Sequence, residues 1–286
     1  MRFKALSASV LMCVALSGQA AEQEETFTIA EPGAANVDPA RLGRLLDRND
    51  PRAINNVGWL WARGEGGVKQ DFKEAMQWWR HAAKLGYTVA MNNVGLLYAN
   101  GHGVEQDYEK ALEWWARSAE RGNAWAMNAV GDLYENGHGV PQNYELALTW
   151  YREAAAEGDP MGMWNIAHLS EEGKGTEQNL SEALRWYLQA AEHGYAPAML
   201  SLGRMYEEGR GTRQDAVEAF ALYTVAAQRF TAEQADEAAE NARLLRDVSA
   251  RLSAEERNAG AGRASELAPK FRKPEKATPQ GKDAAA

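Results

Sequence analysis

The chain repeats itself. Residues 90–122 read AMNNVGLLYANGHGVEQDYEKALEWWARSAERG, and residues 126–158 read AMNAVGDLYENGHGVPQNYELALTWYREAAAEG, the same pattern 36 residues later. Further copies begin at Ala53, Gly162 and Ala198. A fixed period of this length marks identical supersecondary units stacked in one dimension. In the copy at Ala90, the apolar residues Ala90, Met91, Val94, Leu97 and Tyr98 form one helical stripe. Asn100, Gly101, His102 and Gly103 end that helix, because glycine takes the left-handed conformation that closes it. Asp107 is the N-cap of a second helix with the inner face Ala111, Leu112, Trp115 and Ala119, and Gly122 stands at its C-terminal end. Each copy is an antiparallel helix pair. Helices of about three turns are marginal alone, so stability must come from stacking one pair on the next.

Small and large residues alternate at fixed places. Gly58, Gly95, Gly131 and Gly203 lie inside first helices, where glycine costs about 1 kcal/mol relative to alanine. The fourth copy has Ala167 there, so the position requires small size and not a special backbone angle. Ala75, Ala111, Ala147, Ala183 and Ala219 recur in the second helices, with Trp79, Trp115, Tyr151, Tyr187 and Tyr223 as the large partners. This alternation lets facing helices interdigitate. Asp71, Asp107, Asn143, Asn179 and Asp215 are the expected second-helix N-caps. Gly86, Gly122, Gly158 and Gly194 end those helices, whereas the fifth copy has Phe230, and the array should change character there.

The motif Ala-x-x-x-(Leu/Val)-Gly-x-x-Tyr, then Gly-x-Gly-Val, then Ala-x-x-Trp-(Trp/Tyr)-x-x-Ala-Ala-x-x-Gly resembles the Sel-one-like repeat family, relatives of the tetratricopeptide repeats. The resemblance spans Ala53 to Phe230 in five copies. Departures are local: Trp61 and Ser170 replace the tyrosine, Thr176 and Thr212 replace the loop valine, and Glu65-Gly66-Gly67 lengthens the first loop by one residue. The resemblance implies an all-α, right-handed α/α superhelical solenoid whose first helices line a concave face that binds proteins, often in envelope or secretory compartments.

Outside the repeats, Met1–Ala20 has the pattern of a cleaved secretory signal: Arg2 and Lys4, an apolar run from Ala5 to Leu16, then Gly18-Gln19-Ala20. The run is shorter than the roughly 20 residues that span a bilayer. Cys13 lies within it, so cleavage leaves a chain without cysteine, suited to an oxidising periplasm or exterior but with no disulfide to depend on. Residues 21–38 read as a linker, and residues 39–52 as a half-repeat capping helix with Asn49 in a left-handed slot. Residues 231–268 should form two capping helices, the first covering repeat five, and residues 269–286 a basic tail. Loss of Arg2 and Lys4 moves the formal charge from −9 to −11. That balance argues against nucleic acid and anionic membrane surfaces and favours a protein with a basic surface. No stable membrane insertion is expected, and the protein should be a monomer.

No nucleophile elbow, HExxH, phosphate loop or CxxC occurs, and Gly173-Lys174-Gly175-Thr176 is the inter-helix loop of repeat four. His102 and His138 occupy equivalent loop positions and His168 follows one repeat on; they read as solvated and not as metal ligands, because neighbouring repeats stack about 8–10 Å apart. Neither a catalytic group nor a metal or other cofactor is expected. The expected binding surface is three ladders on the first helices: Asn55, Asn92, Asn128, Trp164 and Leu200; Trp59, Leu96, Asp132, His168 and Arg204; and Asn56, Asn93 and Asn165. The asparagines have an alternative role, bonding neighbouring backbone to order the stack. Trp59, Trp164 and the junction residue Trp125 break the repeat pattern and are candidate anchors, since tryptophan dominates binding hot spots. The functional expectation is an exported, non-catalytic protein-binding adaptor, regulator or inhibitor. A narrower form, implied by the resemblance, is a periplasmic immunity protein against a type VI secretion effector. A remote one is a β-lactam or cell-wall enzyme, although the relatives linked to β-lactams carry a cysteine pair per repeat and this chain has none.

Overall fold

The computed structural model describes residues 48–271. The expected signal segment, the linker and most of the expected N-terminal capping helix lie outside the described residues, as does the tail beyond Phe271. Among the described residues there are twelve α-helices, one short 3-10 turn and no strand. They fall in two compact units, one ending at Gly158 and the other beginning at Asp159.

The first unit holds three helix pairs: α1 (Pro51–Arg63) with α2 (Phe72–Lys84), α3 (Thr88–Asn100) with α4 (Tyr108–Ala119), and α5 (Ala124–Asn136) with α6 (Tyr144–Ala156). In the second unit α7 (Pro160–Glu172) pairs with α8 (Leu180–Glu192), and α9 (Ala196–Glu208) with α10 (Ala216–Ala227). The 3-10 turn Ala232–Gln234, α11 (Ala235–Arg251) and α12 (Ala254–Leu267) follow. Within each unit every second helix also packs on the first helix of the next pair. The chain is an all-α repeat solenoid.

Local chemistry sets the boundaries. Asp71, Asp107, Asn143, Asn179 and Asp215 are extended, and each accepts a backbone N–H from the first turn of its helix. Every first helix of the five pairs closes on a glycine with φ of 69–70°. Asn49, with φ of 56°, takes the left-handed slot before α1. The second loop glycine serves close approach as well: a Cβ on Gly103 would lie 2.9 Å from the Cβ of Phe72, and one on Gly139 2.7 Å from that of Tyr108. These loops therefore rest on the start of the preceding second helix, and only a bare backbone fits.

Inside each pair, the small position of the first helix receives the large residue of the second. A Cβ on Gly58 would sit 2.4 Å from Trp79 Nε1, and one on Gly95 2.3 Å from Trp115 Nε1. At Gly131 and Gly203 the obstacle is the ring of Tyr151 or Tyr223, at 2.5 and 2.3 Å. Two chemistries complete this contact. Trp79 Nε1 donates to the carbonyl of Asn55 at 3.0 Å, and Trp115 Nε1 to that of Asn92 at 3.1 Å. The tyrosines instead donate their hydroxyls to carboxylates: Tyr151 to Glu135, Tyr187 to Glu171 and Tyr223 to Glu207, each at 2.7 Å. The residues equivalent to those glutamates in the two tryptophan repeats are Ala62 and Ala99. Tryptophan goes with alanine, tyrosine with glutamate.

One further residue marks the same place in all five pairs. The glutamine preceding each second-helix N-cap donates its side-chain N–H to a carbonyl near the end of the first helix: Gln70 to Ala62, Gln106 to Ala99, Gln142 to Glu135, Gln178 to Glu171 and Gln214 to Glu207, at 2.7–2.9 Å. The acceptor is always the residue that alternates between alanine and glutamate. It lies eight residues before Gln70 but seven before the others, which absorbs the longer first loop.

Burial and the nearby glutamate raise the tyrosine hydroxyls: Tyr151 and Tyr187 stand well above the usual value, with desolvation the larger cause. The folded form thus holds its protons when the unfolded chain would release them, and the associated stability, complete below about pH 10, is lost as the pH rises above it. Alkaline titration followed by tyrosinate absorbance should show these protons released together with unfolding, and Tyr187→Phe should blunt the alkaline limb of the stability curve. Alanine at the small position should be tolerated unequally. Because Ala167 already faces Tyr187 in repeat four, Gly131→Ala against Tyr151 should stay within about 1 kcal/mol, as the helix-propensity gain offsets the crowding. Gly95→Ala, against the stiffer indole of Trp115, should cost about 1–2 kcal/mol in denaturant unfolding.

Candidate functional site

In the first unit most of the ladder is interior. Asn55 is 3% exposed, Asn92 6%, Leu96 7%, Asn128 1% and Asp132 6%. Buried polar groups must be bonded, and Asn55 and Asn92 bond across the stack. Asn93 donates to Asn55 Oδ1 at 3.0 Å, between the first helices of repeats one and two. Asn92 donates to Asn123 Oδ1 at 3.0 Å, and that oxygen also accepts from the backbone N–H of Ala126, so the junction before α5 is tied to α3. Asn128 bonds the carbonyl of Ala124 one turn back. Trp59 is half-buried: its ring meets Trp79 edge-on at 5.2 Å and carries the Arg63 guanidinium 4.9 Å from its centre. Trp125 meets Trp115 edge-on at 5.7 Å, and its buried indole N–H makes no hydrogen bond.

The second unit leaves three of its ladder residues partly open. Trp164, His168 and Arg204 are each half-buried and held from within. Trp164 stacks on His168 with centroids 5.4 Å apart and planes 7° from parallel, while Tyr195 meets it edge-on at 6.4 Å. Its Nε1 donates to Ser201 Oγ at 3.1 Å, and Ser201 donates to the carbonyl of Pro197. His168 Nε2 lies 3.7 Å from Glu172, whose carboxyl is held below its usual range chiefly by the Lys174 ammonium. Arg204 is paired with Glu240 of α11. Leu200, the last residue of the asparagine ladder, is 5% exposed and belongs to the core beneath α11.

Of the two loop histidines His102 is exposed, as the solvated reading expects, whereas His138 is half-buried. His102 stacks on Phe72 at 4.7 Å and His138 on Tyr108 at 4.8 Å, each covering the first residue of the preceding second helix. Burial lowers the affinity of His138 for a proton. Among the described residues no group of three histidine, cysteine or acidic side chains is gathered as a metal site. No described helix is long and apolar enough to cross a membrane.

Sequence reasoning passed over the glutamines that hold the first-helix ends and the three tyrosine-bonded glutamates. Both were visible as period: glutamine precedes the N-cap in every copy, and Glu135, Glu171 and Glu207 recur at 36-residue intervals. They went unused because a polar residue on a short helix reads as solvent-facing.

Five successive helix pairs of one pattern define a helical-repeat protein. The chain belongs to the Sel1 repeat family, whose model matches residues 51–87, 88–123, 126–159, 160–195 and 196–229. Among solved structures it is similar to a Sel1 repeat protein from Oxalobacter formigenes, with 31% identity over 68% of this chain and 80% of that one and a TM-score of 0.60. Weaker likenesses include an immunity protein of Pseudomonas aeruginosa, at 18% identity over 78% of this chain and 84% of that one with a TM-score of 0.47. Another is a protective antigen of uropathogenic Escherichia coli, at 22% identity over 80% of this chain and 63% of that one with a TM-score of 0.43. No curated protein matches.

If the first-unit asparagines order the stack, Asn93→Ala should strand the buried Asn55 oxygen and lower unfolding stability by about 1–3 kcal/mol. Denaturant titration checks this, and Arg152→Ala, at an exposed residue of α6, supplies the contrasting surface substitution.

Proposed function

We propose that the protein is a non-catalytic binding module that holds a protein partner on first-helix surface, with Trp164, His168 and Arg204 as the contact set in the second unit. The observation that carries this reading is that these three side chains are half-exposed yet already fixed: Trp164 by Ser201 and His168, His168 by Glu172, and Arg204 by Glu240. A surface whose side chains are immobile before binding loses little entropy on association. Large aromatic and arginine groups are the residue types that dominate hot spots. In the first unit Trp59, stiffened by Trp79 and Arg63, has the same character.

Export to the periplasm is the compartment we infer, supported by the charged, apolar and small-residue pattern of Met1–Ala20 and by the absence of cysteine after it. Within that reading, neutralisation of a basic effector protein is the narrower form, favoured by the formal charge of −9. It predicts a one-to-one complex whose association slows steeply with added salt.

Capture of partners from the envelope fraction of the source cell, followed by mass spectrometry and titration calorimetry, tests the proposal. Trp164→Ala should weaken the complex at least tenfold, about 1.4 kcal/mol, while the helical circular dichroism spectrum stays unchanged. Equal binding by Trp164→Ala and by Trp59→Ala would remove the reading.

A further inference from the structure

The family match ends at residue 229, but the register does not. Thr231, which precedes the next helical turn, stands 36 residues after Tyr195, the N-cap of α9. Glu240 stands 36 residues after Arg204, and the two are ion-paired. Asn241 is fully buried and donates to the carbonyl of Tyr223 at 2.9 Å, fixing α11 on α10. By position α11 is a sixth first helix.

Its own second helix is missing from the expected place. In the five pairs the small position of the first helix lies under the large residue of the second, as Gly203 lies under Tyr223. The equivalent residue of α11, 36 further on, is Ala239, and it is exposed. The next helix, α12, packs on α10 instead: a Cβ on Gly260 would lie 2.6 Å from the Phe220 ring. Arg263 forks onto both oxygens of Glu218 at 2.8 and 3.1 Å, and Arg229 donates to the carbonyl of Ala268. The face of α11 carrying Asp236, Ala239, Arg243, Arg246 and Ala250 is left without a partner helix, and all five residues are exposed.

We propose that this face of α11 pairs antiparallel with the same face of a second copy of the chain, which occupies the slot of the absent sixth second helix. The charge order along α11 selects that occupant. Acidic residues, Asp236, Glu237 and Glu240, fill its first half, while Arg243, Arg246 and Arg251 lie in the second with Asp247. Such a helix is complementary to its own reverse. With residue 241 on the twofold axis, Asp236 faces Arg246 twice, and Ala239 leaves room for the aliphatic stem of Arg243. No ion pair joins Asp236 or Arg246 to another described residue, so both remain available to a partner. The contact area of one helix pair is small and its charges are exposed, so the dimer is weak and salt-sensitive.

Sedimentation equilibrium of the full-length protein, from low micromolar to millimolar concentration at low salt, tests the assignment. A monomer–dimer equilibrium is expected. Asp236→Arg and Arg246→Asp should each weaken it at least tenfold with unchanged circular dichroism, and the double variant, with the charges exchanged, should restore it. A monomer throughout the range overturns the proposal. So does a dimer indifferent to the single variants, which lies elsewhere on the surface, or a double variant as weak as either single one.

Discussion

The array depends on one place in each first helix where the side chain is small, glycine in four pairs and Ala167 in the other. At Gly58, Gly95, Gly131 and Gly203 the first helix offers bare backbone, and the aromatic ring of its own second helix fills the space to within 2.3–2.5 Å of where a Cβ would stand. Glycine weakens each short helix by about 1 kcal/mol, a loss offset by burying a whole indole or phenol. Trp115 and Tyr223 are completely buried, and Trp79 is 3% exposed. The helix pair is then a rigid brick, and stacking needs only complementary faces. Capping residues, loop glycines and asparagine bonds refine a geometry that the ring-on-glycine contact establishes.

The repeat made the architecture readable, because a period supplies five independent copies of the same argument. N-caps, closing glycines and the small-to-large alternation all follow from propensity and spacing, and Asn49 before α1 takes the left-handed conformation its junction demands. Less legible was the direction in which a polar residue on a first helix points. Asn55, Asn92 and Asn128 occupy positions that read as surface, yet they are buried and bonded within the stack. A short helix flanked on several sides has little solvent-facing arc, so periodicity of apolar residues alone understates its burial. His138 shows the same effect: it looks solvated in sequence because its stacking partner, Tyr108, lies in the preceding helix pair.

The end of the array was only half visible. Ser253 and Glu256 bond reciprocally and start α12 as a capping box should. Thr231 and Gln234 form the other expected box, with Gln234 accepting from the Thr231 N–H at 3.1 Å. Nothing in the local sequence says that α12 passes over α11 to dock on α10. That choice is made by Phe220, Glu218 and Arg229, whose partners Gly260, Arg263 and Ala268 lie 39 to 45 residues away. Long-range ion pairs of this kind leave no periodic trace. The proposed binding surface has the same standing: chemistry identifies which side chains are open and stiff in the second unit, whereas a partner's shape is written in another molecule.

The two ways of seating the aromatic ring carry a consequence for how such chains change. An indole that donates to a backbone carbonyl needs only alanine beside it, while a phenol needs a carboxylate. Each half suits its own neighbour: tyrosine opposite Ala99 would bury a hydroxyl without the carboxylate acceptor it has elsewhere, and tryptophan opposite Glu135 would take from that half-buried carboxylate its hydroxyl donor. The heritable unit is therefore the whole brick. Duplication, deletion or exchange of complete helix pairs keeps ring and neighbour together, whereas a crossover within the loop between them separates the two. The boundary at which this protein can be lengthened or shortened lies between bricks, at the glycine or asparagine that ends one and begins the next.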